Sequence, residues 1–325
     1  MIRMGCASRS SAVPADPWIV LGACLAEGAT GYSRALHARV PHPVAWLAGL
    51  IAVFDRTLNR PGAPAVMRRA AGALTLALVA GLAGAVGFGL ERALAGSLLG
   101  AFAIGLLGAF GIAARSLYDH VEAVRRALAQ HDLAAAREAV GRIVGRDVSG
   151  LDAAGVSAAA LESLAESTCD GVIAPVFWFL VGGLGGLFAY KAVNTADSLI
   201  GHKEAPYTDF GWASARADDL MNFIPARLSG ALICLTFGRG WRVMRKDARR
   251  HASPNAGWPE AAMAGALAVR LGGAVSYGGA PYERPFFGRG PAPGPAELAR
   301  GLRGYVELCA VLAAFLFAGG LLWPR

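Results

Sequence analysis

Charged residues are scarce in this 325-residue chain: Asp, Glu, Lys and Arg together make up 17%, against 55% hydrophobic residues. That balance excludes a disordered chain, and a mean hydropathy of +0.44 excludes an ordinary soluble two-domain protein as well. Cysteine is limited to Cys6, Cys24, Cys169, Cys234 and Cys309, far apart and without C-x-x-C or Cys/His pairing, so neither a zinc site nor a disulfide framework is indicated. Met1 to Asp16 has Arg3 and Arg9 but no apolar h-region, and no lipobox precedes Cys6. A cleaved signal is therefore not expected, and a mature span must direct insertion. There is no G-x-x-x-x-G-K-[ST], no G-x-G-x-x-G after a strand and no G-x-S-x-G, and His42, His120, His202 and His251 lack a paired nucleophile. Triad hydrolysis has no support, and any nucleotide must be held by side chains and helix ends. Glycine is abundant, at 43 residues, but without a G-X-Y period, which excludes collagen.

What is present is apolar helix. A crossing needs about 20 mostly apolar residues to cover roughly 30 Å of hydrocarbon. Ala70 to Leu90, Ala93 to Ala114 and Gly171 to Tyr190 meet that test, and Glu91-Arg92 reads as the turn of a transmembrane hairpin. Small residues at Gly96, Gly100, Ala101, Gly105, Ala109, Gly182 and Gly186 fall at four-residue spacing and favour close helix packing in lipid. Shorter runs at Trp18 to Ala26, Pro43 to Phe54, Leu228 to Gly238 and Leu308 to Trp323 are near or below the limit for a straight crossing. The fold class expected is an all-α, polytopic integral membrane protein, with 1–17 as a disordered N-terminus and 18–325 as one membrane-embedded domain. Within it, 115–170 repeats apolar residues at Leu117, Val121, Val124, Leu128 and then Leu133, Ala136, Val140, Ile143, which predicts a helical hairpin outside the bilayer. The Pro/Gly-rich 239–303 reads mostly as loop. Counting basic residues places the segments 56–69, 115–146 and 239–303 in the cytoplasm, and the formal net charge of +8 points to anionic partners rather than nucleic acid. One conflict remains open: a full crossing by Gly171 to Tyr190 puts Lys191 to Asp219 outside, away from ATP, unless Gly182-Gly183-Leu184-Gly185-Gly186 breaks the helix.

Candidate chemistry clusters around that segment. Glu162, Glu166 and Asp170 are four apart and stack on one helical stripe, where like charges repel unless water or a cation compensates. A solvated face is the simpler reading, but the stripe runs straight into apolar Val172 to Leu180, where acids are expensive and a cation site becomes an equal alternative. Lys191, Asn194 and Ser198 share a helical face, with Asp197 a quarter turn away. Arg216, Asp218, Asp219, Asn222 and Arg227 follow around Pro225. Such a set suits phosphate and Mg²⁺, since Mg²⁺ takes one or two carboxylates plus phosphate oxygens and arginine grips phosphate with two donors. An ion-pair network is the structural alternative. Ser253 to Glu260 reads as a rigid turn presenting Asn255 and Trp258, either as a structural corner or as a lip over a flat ligand.

These segments carry a resemblance. Val144 to Asp147, Glu162 to Pro175, Tyr190 to Ser198, Asp209 to Trp212, Ala215-Arg216, Asp218-Asp219, Asn222, Ile224 to Arg227 and Ser253 to Glu260, with His42-Pro43-Val44 before them, closely resemble the CbiB/CobD family of adenosylcobinamide-phosphate synthases. The likeness runs in one order from His42 to Tyr277. Cys169 stands where a small hydroxyl residue is expected and Glu27 where aspartate is common. The resemblance implies a multi-pass enzyme of the cell inner membrane. It would join adenosylcobyric acid to (R)-1-aminopropan-2-ol or its O-phosphate, with ATP and Mg²⁺ as cofactors. Implied partners are the corrinoid, the aminopropanol (phosphate), the lipid bilayer and other late cobalamin-pathway membrane enzymes. By that likeness Glu166, Lys191, Asp197, Arg216 and Asp219 are candidate catalytic residues. Glu162, Glu166, Asp170, Asp197, Asp218 and Asp219 are candidate Mg²⁺ ligands, one of them serving as base. Lys191, Asn194, Ser198, Arg216, Arg227 and Arg146 would hold nucleotide phosphates, and His42, Asn255, Trp258 and Tyr277 would contact substrate. The rival readings are an AmpE-like membrane signalling protein and an ion-coupled transporter, the latter disfavoured by the lack of an internal repeat.

Overall fold

A computed structural model describes residues 15–31, 42–202, 204–277 and 279–323, with only the backbone at 277 and 281. Most of the expected disordered N-terminus, Cys6 and the side chain of Tyr277 therefore lie outside the described residues. Ala15 and Asp16, at the end of that segment, are placed: Ala15 N–H donates to Leu180 O at 3.1 Å, and the Asp16 carboxylate accepts from Trp18 N–H, capping the first helix.

The architecture is helical, as expected. Helices α1 (Pro17–Thr30), α2 (Pro43–Leu58) and α3 (Ala65–Leu94) come first. The 30 residues of α3 reach about 45 Å, enough to cross. The chain does not turn at Glu91-Arg92. Helix α3 runs through both residues, and the turn falls at Ala95 to Ser97, where Gly96 takes φ +95° and Ser97 caps α4 (Leu98–Ala109). Arg92 lies in the last turn of α3, where cations suit the dipole. Two amphipathic helices follow, α5 (Ala114–Ala129) and α6 (Leu133–Gly141), broken at His131-Asp132 with Asp132 as cap. Of the expected apolar positions, Leu117, Val121, Val124, Leu128, Ala136 and Val140 are buried, and Leu133 and Ile143 are half-buried against the same core. They share a core with α7 (Ala153–Thr168) through Val156, Ala160 and Leu164.

A π-turn, Cys169–Ile173, joins α7 to α8 (Ala174–Ile200). Inside α8, Gly182 and Gly183 leave helical geometry, Gly183 with φ +60°. A side chain there would be strained in that conformation and would overlap the Glu91 carboxylate, which instead accepts from Leu184 N–H at 3.0 Å. The two limbs lie back to back: Tyr190 Oη donates to Asp170 O at 3.3 Å, and Asn194 Nδ2 donates to Asp170 Oδ2 at 3.4 Å. At the break, a Cβ on Gly186 would sit 2.6 Å from Trp178 O. Four helical stretches are long and apolar enough to cross a membrane: Ala65–Leu94, Leu98–Ala129, Ala153–Ile200 and Pro295–Leu322. The third is a re-entrant hairpin that folds back at Gly182-Gly183, since Tyr190 and Asn194 of its second limb reach Asp170 on the first and Gly186 lies against Trp178 O. The chain thus returns to the end it left, which removes the conflict over where Lys191 to Asp219 emerges. Single cysteines at Ser149 and Thr208, both exposed, in a background without native cysteines, should react with an impermeant maleimide from the same side of the membrane. Opposite-side labelling would refute the fold-back.

Beyond it come α9 (Tyr207–Phe210), α10 (Trp212–Met221), α11 (Phe223–Thr236) and α12 (Trp241–Asp247). Next is α13 (Gly257–Leu267), followed by two small antiparallel ribbons. In these, β1 (Leu271–Gly272) pairs with β4 (Phe286–Phe287), and β2 (Val275–Tyr277) with β3 (Ala280–Tyr282). The region expected to be mostly loop therefore holds a core helix. All of α13 except Trp258 is buried, packed with Ile233 of α11 and Leu302 of the last helix, α14 (Pro295–Leu322). Its Ala/Gly-rich sequence has no polar face, so amphipathic periodicity gave no signal. The second half of α14 absorbs Leu308 to Leu322, with Trp18 Nε1 donating to Gly320 O at 3.0 Å.

Candidate active site

The re-entrant hairpin, the end of α7, α10 and the start of α13 surround a polar chamber made of two cavities of about 520 Å³ each. Glu166, Asp170, Glu260 and Arg284 line both, so they form the partition. The helical phase of the ascending limb decides what faces which cavity. Lys191, Asn194 and Ser198 line the first, with Arg146 and Ser163 opposite, and Asp197 a quarter turn away lines the second with Asp218, Asp219 and Asn222. The π-turn brings Asp170 to this junction; π-turns recur where a helix must re-aim a functional side chain.

Asn194 ties the two elements together. Its Nδ2 donates to Asp170 Oδ2 at 3.4 Å and to Asp218 Oδ1 at 3.2 Å, while Asn222 Nδ2 donates to Asp218 Oδ2 at 3.0 Å. Burial pushes the Asp218 carboxyl above its usual range, with Asp219 acting the same way, against the hydrogen bonds from Asn194 and Asn222. Lys191 Nζ donates to Asn194 Oδ1 at 3.4 Å. Eight carboxylates line the two cavities (Glu162, Glu166, Asp170, Asp197, Asp218, Asp219, Glu260 and Glu283) against four cations (Arg146, Lys191, Arg250 and Arg284). At formal ionisation the chamber carries an excess of four negative charges. Two like charges 4 Å apart in such a setting repel by about 4 kcal/mol, so the chamber attracts cations and admits an anion only with compensating charge.

Several expected site residues do other work. Glu162 is not open to a cation: Oε1 accepts from Gly272 N–H at 2.8 Å, and Oε2 meets Arg284 Nη2 at 2.6 Å and Arg146 Nη1 at 3.0 Å. It anchors β1 and two arginines. Arg227 is not aimed at phosphate. Its guanidinium lies between the rings of Phe223 and Trp258 and donates to Phe223 O, Asn255 Oδ1 and Pro254 O. That leaves Trp258 stacked on a cation rather than facing a ligand, and Asn255 with its second amide atom on Asp219 O at 2.7 Å. The Ser253 to Glu260 turn, fixed by Arg227 and the Asp219 carbonyl, lines the second cavity, Asn255 included, while Trp258 lines neither. Arg216 is 69% exposed, lines neither cavity and faces Asp219 at 3.9 Å, a rim position. His42 lines neither cavity and caps α2 by accepting from Val44 N–H.

The residues the sequence reading missed are Glu260 and Arg284. A lone acid inside the apolar run Gly257 to Leu267 is a signal for the first, because an unpaired charge in a buried helix needs a reason. Arg284, in a Pro/Gly-rich stretch between short strands, carries none.

Fold and site together define a helical integral membrane protein with a carboxylate-rich chamber at a re-entrant hairpin. Residues 20–305 match the family model described as CobD/Cbib protein. A cobalamin biosynthesis protein CobD of Rhodobacter capsulatus is 47% identical over 299 residues, 91% of this chain and 94% of the relative. Proteins of the same name from Geobacter metallireducens (44% identical; 81% and 84% covered) and Brucella suis biovar 1 (44%; 77% and 80%) also align. The chain belongs to the CobD/CbiB family. No solved structure matches it.

Proposed function

We propose that the chamber is the active site of an ATP-dependent amide ligase of the cell inner membrane. It would join adenosylcobyric acid to (R)-1-aminopropan-2-ol or its O-phosphate, giving adenosylcobinamide (phosphate), ADP and phosphate. The observation that carries this reading is the partitioned chamber: a face with Lys191, Asn194, Ser198 and Arg146 looks across shared acids toward an acid-lined cavity. Anionic and cationic reactants thus have separate places that meet at one wall. A carboxylate and an ammonium do not condense at neutral pH until the carboxyl oxygen becomes a leaving group, and phosphoryl transfer from ATP supplies that. Phosphoryl transfer asks the protein for positioning and charge neutralisation rather than covalent chemistry.

Asp170 and Asp218, bridged by one amide, are the residues that would hold Mg²⁺. Among the described residues no three His, Cys, Asp or Glu side chains are grouped to bind a metal by themselves. That fits a cation completed by phosphate oxygens and water, the usual habit of Mg²⁺. When bound, the ion would neutralise phosphate charge. Lys191 holds phosphate oxygens from the first cavity, and Arg146 offers a buried Nε without a protein partner. Asn194 fixes the two aspartates relative to each other.

Protein purified in detergent and given adenosylcobyric acid, aminopropanol phosphate, ATP and Mg²⁺ should form the cobinamide phosphate with stoichiometric ADP. No product with any nucleotide would defeat the reading. Replacing aminopropanol with hydroxylamine should trap the activated carboxyl as a hydroxamate.

A further inference from the structure

Glu260 has no part in the chemistry described so far, yet its position is unusual. It lies in the first turn of α13 and is 2% exposed, and it lines both cavities. Its Oε2 has no hydrogen-bond partner, and no arginine or lysine is within ion-pair distance among the described residues. A buried carboxylate oxygen left without a donor costs about 1–3 kcal/mol or more, so this oxygen, at the wall of both cavities, calls for a donor from what the cavities hold. The neighbour on Oε1 is polar: His251 Nε2 stands 3.7 Å away. Ser253 N–H donates to His251 Nδ1 at 2.9 Å, so the neutral ring carries its proton on Nε2, facing the carboxyl. The other acids differ. Asp170 and Asp218 accept from amides, Glu162 is neutralised by arginines, Asp219 faces Arg216, Glu166 and Glu283 are exposed to water, and Asp197 is only half-buried.

Resting on the ligase reading, we propose that Glu260 receives the amine substrate at the partition and takes its proton. Oε2 accepts an N–H of the ammonium, R–NH₃⁺, and then the proton itself, giving R–NH₂ and a carboxylic acid. The nitrogen lone pair forms the C–N bond to the acyl phosphate carbon as that carbon's bond to the phosphate oxygen breaks. Phosphate leaves with the electron pair, and the second nitrogen proton goes to the released phosphate. The location suits the step, because the amine approaches from the acid-lined cavity while the activated carboxyl is built from the other. Burial pushes the Glu260 carboxyl well above its ordinary range, Glu162 and Glu166 in the same direction and Arg284 and Arg146 against; this disfavours the ionised form, which therefore draws a proton from an adjacent ammonium more strongly than an exposed carboxylate does.

The test compares two nucleophiles in the Glu260→Gln variant. Aminopropanol phosphate is an ammonium at neutral pH and must lose a proton before it attacks; hydroxylamine is already neutral. Glu260→Gln should form amide about 10²–10⁴-fold more slowly, the usual worth of a general base, while hydroxamate formation stays near the wild-type rate. Equal amide rates in variant and wild type would overturn the proposal. So would a parallel loss of both reactions, because Glu260 would then serve activation or folding. Failure of the wild-type protein to make either product would instead remove the ligase reading beneath it. Glutamine is an isostere without the buried charge, so the thermal midpoint of the variant should equal or exceed the wild type, and a lower one would assign Glu260 a structural role.

Discussion

Asp218→Asn should lower kcat by at least about 10²-fold, since a divalent ion at a transferring phosphoryl group contributes several kcal/mol to the transition state. The side chain keeps its size, and one of its atoms can still meet Asn222. What changes is charge: the Asp170–Asp218 pair bridged by Asn194 drops to a single carboxylate. On the proposed reading Mg²⁺ would lose one of the two carboxylates that would hold it, so the variant should also need more Mg²⁺ for half-maximal rate. Measuring initial rates across a Mg²⁺ titration separates the two effects. Near-normal turnover at ordinary Mg²⁺ would move the ion elsewhere in the chamber. Because burial already holds the Asp218 carboxyl up, its ionised form is favoured by rising pH. Wild-type activity should therefore fall on acidification through a pH above the usual carboxylate range, and a flat acid limb would contradict that.

Glu162→Ala should cost about 3–5 kcal/mol of stability, the penalty for leaving buried charges without their partner. Arg146 and Arg284 are 10% and 17% exposed, and both converge on Glu162 Oε2. The Gly272 N–H also loses its acceptor, which frees β1. The outcome discriminates between two roles. A cation ligand facing Glu166 would relieve repulsion when removed and leave the metal-free protein as stable as before or more so. A clamp on two arginines gives a large drop in thermal midpoint in detergent, with or without Mg²⁺.

Much of this molecule can be read from its residues. The apolar period of 117–140 put the correct side chains in the core, because an amphipathic helix at a protein surface has only one way to bury its stripe. The spacing of Lys191, Asn194, Ser198 and Asp197 assigned them to two helical faces, and those faces line two cavities. The errors share a cause. Glu91-Arg92 read as a turn because charge in an apolar run suggests an interface, whereas Glu91 has a backbone N–H to cap across the bundle. Arg227 and Trp258 read as ligand-facing because their chemistry suits ligands, but they stack on each other and line neither cavity; Asn255, which holds Arg227, does line the second. Residue type states what a side chain can bind, not what already occupies it.

The sequence by itself determined that the chain is helical and membrane-embedded, that acids and bases crowd its apolar boundaries, and which family it belongs to, since composition, periodicity and motif order are local properties of the chain. Only the tertiary structure decided that Gly182-Gly183 turns a crossing into a fold-back, that Glu162 is neutralised, and that Glu260 is buried at the partition with an oxygen left without a partner. Each of those depends on partners that the fold brings in, such as Glu91 beside Gly183 and Arg284 beside Glu162, or on the lack of one. A carboxylate's charge, donors and neighbours are set by what the fold places beside it.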